Sequence, residues 1–290
     1  LGVPYTNDFR VMLVNKKHFA DAGITDMPKT LDDLVADAKK IKEKGITQYP
    51  IGLPLSTTEG ASTSWYLLTK AFGGDLFDKD WNPLFLTPDT AGYKAMAFEA
   101  QLLKDGLVDP ASTGLRDAQI NDNYFAKGQT SIMISGEPGR LGQYSDPAQS
   151  QVAGQVEAIL VPTASGTTRS YGLLEALAVP KVSQHQDAAI AFVKWFTSKE
   201  FQIENYQSGV LPTRTSALDD LNKAGKLKSG DALVEESKYV EALFPQGTPT
   251  WYPQFSNAVN TAINAVAKGQ VTVDQAMQDI ADATKKAMTE

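Results

Sequence analysis

An acidic residue inside an apolar segment is the first candidate for chemistry in this sequence. Residues 173–179 form an apolar run that contains Glu175 and ends before Pro180, a pattern typical of a buried strand. An unpaired buried carboxylate is costly, which favours a ligand or a partner for Glu175. Ordinary strand alternation allows the other interpretation, in which Glu175 faces solvent.

An aromatic loop is the second candidate. Residues 244–253 read FPQGTPTWYP and precede an amphipathic helix. Trp251 and Tyr252 could stack on the apolar face of a sugar ring, or they could hold the loop together. We favour the ring platform, because aromatic side chains commonly line ligand pockets.

Catalytic and metal-binding patterns are weak. The sequence has no cysteine, and neither His18 nor His185 has a ligand at metal spacing. No G-x-S-x-G, Walker A or G-x-G-x-x-G motif occurs. Glu137 and Glu175 would suit glycoside hydrolysis only if they faced each other at the right separation. We therefore predict no enzyme, no metal and no cofactor.

Bulk composition narrows the class of protein further. The 290 residues are 42% hydrophobic and 21% charged, which provides for one large or two medium cores. The net charge of −7 is spread along the chain, which argues against nucleic-acid binding. No apolar stretch approaches the roughly 18 residues of a membrane span.

Helices and strands alternate along the chain. Residues 11–14, 49–55 and 156–161 are predicted as strands. A capping box of Thr30 and Asp33 begins a helix that Gly45 ends. A polar loop at residues 56–64 leads to a helix that Trp65 opens. Further helices are predicted at residues 188–196, after Ser198, at 216–238, at 255–266 and at 272–287.

Several of these segments resemble one known family. After the strand come Val-Pro-Lys, the helix AAIAFVKWFTSKEFQ and the return Gly-Val-Leu-Pro-Thr, and upstream Phe125, Gly128, Met133 and Gly136 lie in YFAKGQTSIMISG. In this order the chain resembles bacterial extracellular solute-binding proteins of the sugar-binding, maltose-binding-protein-like type. These are the ligand-capturing subunits of ABC importers. The resemblance lies in the series of segments, since no single motif is specific.

The resemblance implies an α/β, type II periplasmic-binding-protein-like fold, with two lobes joined by hinge crossovers and mixed sheets flanked by helices. Residues 1–165 and 215–290 would form the second lobe, and residues 166–214 would return to a first lobe whose remainder is absent from this chain. Without Met or a signal segment at Leu1, an exported protein would have been processed or truncated. The strand at 173–179 would then lack sheet neighbours, so its pairing within residues 1–165 would contradict this division.

The resemblance also implies a ligand-binding set. The predicted ligand-binding residues are Asp8, Glu59, Trp65, Glu137, Tyr171, Gly172, Glu175, Trp251 and Tyr252. The alternatives are a surface turn for Asp8, a core position for Trp65 and a loop ion pair with Arg140 for Glu137. Relatives often carry Trp after the glycine where this chain has Glu137-Pro138-Gly139-Arg140, so a stacking platform is missing there.

The predicted function is extracytoplasmic capture of a carbohydrate, periplasmic or lipid-anchored, by a monomer that delivers it to the membrane subunits of an ABC importer. The acidic residues Asp8, Glu137 and Glu175 would also suit a cationic or other non-sugar solute. A glycoside-active enzyme is the least favoured alternative.

Overall fold

Two β-sheets frame the protein in the computed structural model, which describes residues 2–290. The strands within that range are β1 (Val3–Phe9), β2 (Val11–Asn15), β3 (Ile51–Gly52), β4 (Ile132–Gly136), β5 (Val156–Ile159), β6 (Ser170–Leu177) and β7 (Val240–Glu241). One sheet has the order β1-β6-β7 and the other β3-β4-β2-β5. Each contains parallel and antiparallel pairs, so both sheets are mixed, as predicted.

Helices surround these sheets. The α-helices in the described range are α1 (Lys16–Asp21), α2 (Leu31–Glu43), α3 (Glu59–Ala71), α4 (Ala91–Lys104), α5 (Asp117–Ile120), α6 (Leu141–Ser145), α7 (Gln186–Phe196), α8 (Lys199–Asn205), α9 (Thr215–Lys223), α10 (Gly230–Glu236), α11 (Tyr252–Ala267) and α12 (Val273–Ala287). The predicted capping box of α2 is present: Thr30 accepts from the Asp33 N–H, and Asp33 accepts from the Thr30 N–H. Two helices, α9 and α10, replace the single helix predicted at 216–238.

Burial on both faces explains why residues 11–14 of strand β2 are continuously apolar. Met12 and Val14 pack into the larger core with α2, α3, α11 and α12, whereas Val11 and Leu13 pack into a smaller core with α9 and α10. All five of its residues are buried. A strand covered on both faces carries no polar alternation.

The predicted start of the helix at Trp65 is wrong. Helix α3 begins at Glu59, after Thr58 in an extended conformation, and so includes most of the predicted loop. Small polar residues such as Ser62 and Ser64 are buried along it. Their hydroxyls donate to the carbonyls of Ser256 and Gly60, which satisfies them inside a helix.

The β1–β6 ribbon corrects the predicted division into lobes. Val3 pairs with Leu177 and Phe9 with Gly172 in one antiparallel ladder. Strand β6 therefore has sheet neighbours, and the boundary that separated residues 1–165 from 166–214 is wrong for β1. A shared hydrogen-bonded ladder holds the two strands together, so they cannot be assigned to different bodies.

Helix α7 is exposed despite its apolar sequence. It buries none of its residues, and Ile190, Phe192 and Trp195 are 42%, 50% and 55% exposed. The helix itself lies where it was predicted. Its apolar face packs only partly against the rest of the described chain, through Trp195 and Phe196, whose ring centres lie 4.3 Å and 4.6 Å from that of Phe201.

Candidate functional site

One face of the β1–β6 ribbon carries two of the predicted acidic residues. Asp8 pairs with Leu173 and Thr6 with Glu175, so strand alternation places Asp8 and Glu175 on the same face. Glu175 is exposed and accepts a hydrogen bond from the Tyr5 hydroxyl. The solvent-facing interpretation of Glu175 therefore holds, and its partner is a tyrosine.

A chain of ion pairs begins at Asp8. Arg10 places Nη2 3.1 Å from Asp8 Oδ2 and Nη1 3.4 Å from Glu137 Oε1. Arg140 Nε lies 2.8 Å from Glu137 Oε2, and its Nη1 lies 3.0 Å from Asp122 Oδ1. We call Asp8, Arg10, Glu137 and Arg140 the charge cluster. The predicted pairing of Glu137 with Arg140 is present, and Arg10 is a member of the cluster that was not among the predicted residues.

The two sheets bring the charge cluster together. Arg10 lies between β1 and β2, and Glu137 directly follows β4. Because Val11 pairs with Gly136, the residues just outside that pair become neighbours. Asp8 lies two residues before Arg10 on β1. The only sequence signal for Arg10 was this Asp-x-Arg spacing beside an apolar strand.

The electrostatic environment of Asp8 is mixed. Burial is the largest influence and raises the pKa of Asp8 above its ordinary value, whereas the charge of Arg10 lowers it. The negative charges of Glu137 and Glu175 raise it further. A carboxyl group in such a site stays responsive to any charge brought near it.

A second polar group joins the starts of α3 and α11. The Tyr252 hydroxyl donates to Glu59 Oε1, and Ser256 Oγ lies 2.5 Å from Glu59 Oε2. Tyr171 is buried, and its hydroxyl has no partner within residues 2–290. Burial raises the pKa of Tyr171, and Tyr252, Arg10, Glu59 and Asp8 also influence it. The Tyr171 carbonyl also accepts from the Arg10 N–H at 3.1 Å, which connects Tyr171 directly to the charge cluster.

A cavity of about 460 Å³ opens beside the ribbon, a volume within the usual range for small-molecule sites. Strand β7 pairs with β6 at Ser170 and Tyr171, and β6 continues past this pairing along the cavity. The residues that line it include Asn7, Gly172, Leu174, Glu241, Phe244 and Tyr252. Of the predicted set, Gly172 and Tyr252 line this cavity.

Gly172 has a packing reason of its own. A Cβ at this position would lie 2.8 Å from both Phe9 Cβ and Val240 Cγ1. Real Cβ atoms do not approach so closely, so only glycine fits between β1 and β7 without a shift. The same backbone reaches the cavity, which agrees with a close approach to a ligand.

The two predicted tryptophans lie in packed surroundings. Trp65 is completely buried, and its Nε1 donates to the carbonyl of Gly92 at 2.7 Å. The prediction that Trp65 lines a ligand site is therefore wrong, because a buried aromatic side chain fills the core. Trp251 is half-buried and packs against Trp81 with ring centres 5.0 Å apart. Its contacts agree with stabilisation of the loop, and a ligand role for Trp251 stays a prediction.

The comparison with known proteins decides the family. The sequence profile described as bacterial extracellular solute-binding protein matches residues 1–203. The chain belongs to this family. The resemblance inferred from the sequence is thereby confirmed for this solute-binding protein. Within residues 2–290 no helix is long and apolar enough to cross a membrane, and no cluster of acidic and histidine side chains is arranged to hold a metal ion.

Individual relatives differ in what their names say they bind. The chain is 29% identical to the diacetylchitobiose-binding protein of Streptomyces coelicolor, over 93% of this chain and 61% of that protein. It is 26% identical to a probable amino-acid ABC transporter periplasmic-binding protein of Sinorhizobium fredii, over 97% of this chain and 62% of that one. Among curated relatives, the chain spans about two thirds or less of their length.

A solved structure confirms the predicted fold. The solute-binding protein of Thermotoga lettingae bound with α-D-tagatose superimposes with a TM-score of 0.84 and is 26% identical. The superposition covers 99% of this chain and 72% of that one. The type II periplasmic-binding-protein fold, with mixed sheets flanked by helices, is therefore correct.

Proposed function

We propose that this solute-binding protein captures a neutral carbohydrate outside the cytoplasm and delivers it to the membrane subunits of an ABC importer. Its membership of the extracellular solute-binding family supports this role. The relatives named for diacetylchitobiose and solved with tagatose support a sugar as the ligand.

The charge cluster is the observation that favours a neutral ligand. The carboxylates of Asp8 and Glu137 already contact the guanidinium groups of Arg10 and Arg140. A cationic ligand would have to displace these internal partners. Paired carboxylates and guanidiniums still offer acceptors and donors to hydroxyl groups, which is what sugar recognition requires.

Three contacts between β1 and later segments, which we call the crossings, support closure of two lobes about a hinge. β1 pairs with β6, Asn7 N donates to the Leu211 carbonyl at 3.0 Å, and Thr213 Oγ1 donates to the Pro4 carbonyl at 3.2 Å. We propose that these crossings form the hinge and that α7 belongs to the other lobe. The exposed apolar face of α7 supports this division, because such a face normally packs against another layer. A ligand that contacts both lobes would favour the closed state.

Thermal unfolding with a ligand panel tests the proposal. Diacetylchitobiose and D-tagatose are compared with putrescine and lysine. A ligand present at 100 times its Kd adds about 2.7 kcal/mol, or a rise in Tm of roughly 4–5 °C for a chain of 290 residues. A rise with a sugar supports the proposal, and a rise only with a cation contradicts it.

A matched pair of variants ties the response to the site. Tyr252→Phe removes the hydroxyl that donates to Glu59, so it should weaken a sugar response. Lys199→Met removes an ion pair with Asp220 on the surface and should leave the response unchanged. Equal responses in both variants would place the ligand elsewhere.

A non-sugar ligand and glycoside hydrolysis are the two alternative functions. The relative named for amino acids keeps a non-sugar solute open as the second candidate. Hydrolysis by Glu137 and Glu175 is disfavoured because both oxygens of Glu137 contact arginines. Release of nitrophenol from an aryl glycoside would contradict the prediction that the protein is not an enzyme.

A further inference from the structure

Arg10 has an unusual position for a basic residue in a charge cluster. Its side chain is only 12% exposed, and its one guanidinium contacts the carboxylate of Asp8 on β1 and that of Glu137, which directly follows β4 of the other sheet. Its backbone is fixed as well, since Arg10 N donates to the Tyr171 carbonyl at 3.1 Å and Ser170 Oγ donates to the Arg10 carbonyl at 3.3 Å. The guanidinium is therefore held where β1, β2 and β6 meet.

The contacts of Arg10 set the charge that this face presents. In the described part of the chain, the ionic contact of Asp8 within 4.0 Å is with Arg10. Glu137 contacts Arg140 as well. Removal of the Arg10 charge would thus leave Asp8 without a cation, beside Glu137 and with Glu175 on the same face of the ribbon.

Arg10 also has an unused donor. Its Nε is buried and has no hydrogen-bond acceptor within residues 2–290. A buried donor without an acceptor is costly, so an oxygen from a ligand or an ordered water would satisfy it. A neutral hydroxyl can supply such an oxygen, whereas an ammonium group has no acceptor to offer.

We propose that Arg10 is a specificity-determining residue that makes this site select neutral polyhydroxy ligands over cations. It occupies the carboxylates of Asp8 and Glu137, and its unpaired Nε–H suits an oxygen acceptor and not an ammonium group. This inference rests on the proposed function, because it concerns the ligand preference of that same site. Lysine could supply the charge but not the two-armed contact, since its ammonium is a single point.

Three Arg10 variants separate charge from shape. Arg10→Gln and Arg10→Met remove the charge, and Arg10→Lys keeps it. Putrescine is the cationic probe, and diacetylchitobiose and D-tagatose are the neutral probes, all measured by calorimetric titration in about 0.15 M salt, where nonspecific attraction is screened. Lys199→Met is the matched control, because it loses the same unit of charge from a surface pair with Asp220.

We expect the Gln and Met variants to bind putrescine at least about tenfold more tightly than the wild type, which corresponds to about 1.4 kcal/mol. The Lys variant and the Lys199→Met control should stay close to the wild type for putrescine. The pKa of Asp8, followed through its carboxyl ¹³C shift, should rise in the Gln and Met variants and stay nearly constant in the control, because Arg10 lowers it.

Different results overturn the two proposals. Equal putrescine affinity in the Lys and Gln variants, or an unchanged Asp8 pKa in the Gln variant, overturns the role of Arg10. If the variants do not fold, the wild type still decides, because putrescine binding as tight as its sugar binding contradicts the role. If the wild type binds no sugar but the Arg10 variants gain putrescine affinity, the role of Arg10 stands and the sugar proposal fails.

Discussion

Replacement of Glu236 by glutamine should abolish a large part of the pH dependence of stability. Glu236 ends α10 and is completely buried. Its Oε2 accepts from the Val161 N–H at 3.2 Å, and its Oε1 has no partner within residues 2–290. Glutamine keeps a carbonyl that can accept from Val161 and removes the ionisation.

The magnitude follows from the pKa of Glu236. Burial, partly offset by the Val161 N–H and the nearby Ser170 hydroxyl, raises the pKa from 4.5 to about 7. The native state therefore holds this proton more tightly than the unfolded state does. The resulting stability is complete below pH 4.5 and lost as the pH rises through about 7. At about 1.36 kcal/mol per pKa unit, the loss across this window is roughly 3 kcal/mol.

Urea unfolding between pH 4.5 and 8 measures this effect. The free energy of unfolding of the wild type, minus that of Glu236→Gln, should fall by roughly 3 kcal/mol as the pH rises through that window. The difference cancels the other titrating groups. Glu235→Gln is the matched control, because Glu235 is adjacent in sequence, and its pKa is lowered mainly by a hydrogen bond from Lys238. Parallel curves for the wild type and Glu236→Gln would refute the reasoning.

Three other substitutions test the packing of the molecule. Glu99 is buried and has no partner within residues 2–290, and burial raises its pKa well above the ordinary value. Glu99→Met should therefore stabilise the protein at pH 8 by about 1–3 kcal/mol. A lower Tm in the variant would contradict this. Trp65→Phe should cost roughly 1–3 kcal/mol in chemical unfolding and leave sugar affinity unchanged, because the indole donates to Gly92 inside the core. Gly139→Ala should cost about 1–3 kcal/mol, since its Cβ would lie 2.4 Å from the Gly209 carbonyl oxygen, and an unchanged Tm would show that the 138–140 turn moves aside.

Local signals with a single physical cause were readable from the sequence. The Thr30 capping box predicted the start of α2, because both hydrogen bonds are made within four residues. The apolar run at residues 11–14 predicted β2, because a strand buried on both faces has no polar positions. The family, too, was readable, since its resemblance lay in the order of such segments.

Signals that depend on distant contacts were read less well. The polar residues 56–64 predicted a loop, yet Ser62 lies inside α3 because the carbonyl of Ser256, far along the chain, accepts from its hydroxyl. The sequence predicts Trp65 at a ligand site, but its indole N–H donates to the Gly92 carbonyl and the core covers its ring. Local sequence patterns do not reveal that the carbonyls of Ser256 and Gly92 accept these hydrogen bonds.

The charge cluster shows why acidic residues are poor indicators of ligand charge. Asp8, Glu137 and Glu175 together suggest a cationic ligand, because all three are acidic residues of the predicted site. The pairing of Val11 with Gly136 brings Arg10 beside Glu137, although 125 positions separate Val11 from Gly136 in the sequence. Two of the three carboxylates thereby gain internal partners, and Glu175 lies exposed beside Tyr5. The proposed role of Arg10 therefore depends on strand register, and on that proposal a single change at Arg10 should alter the ligand preference without any change to the acidic residues.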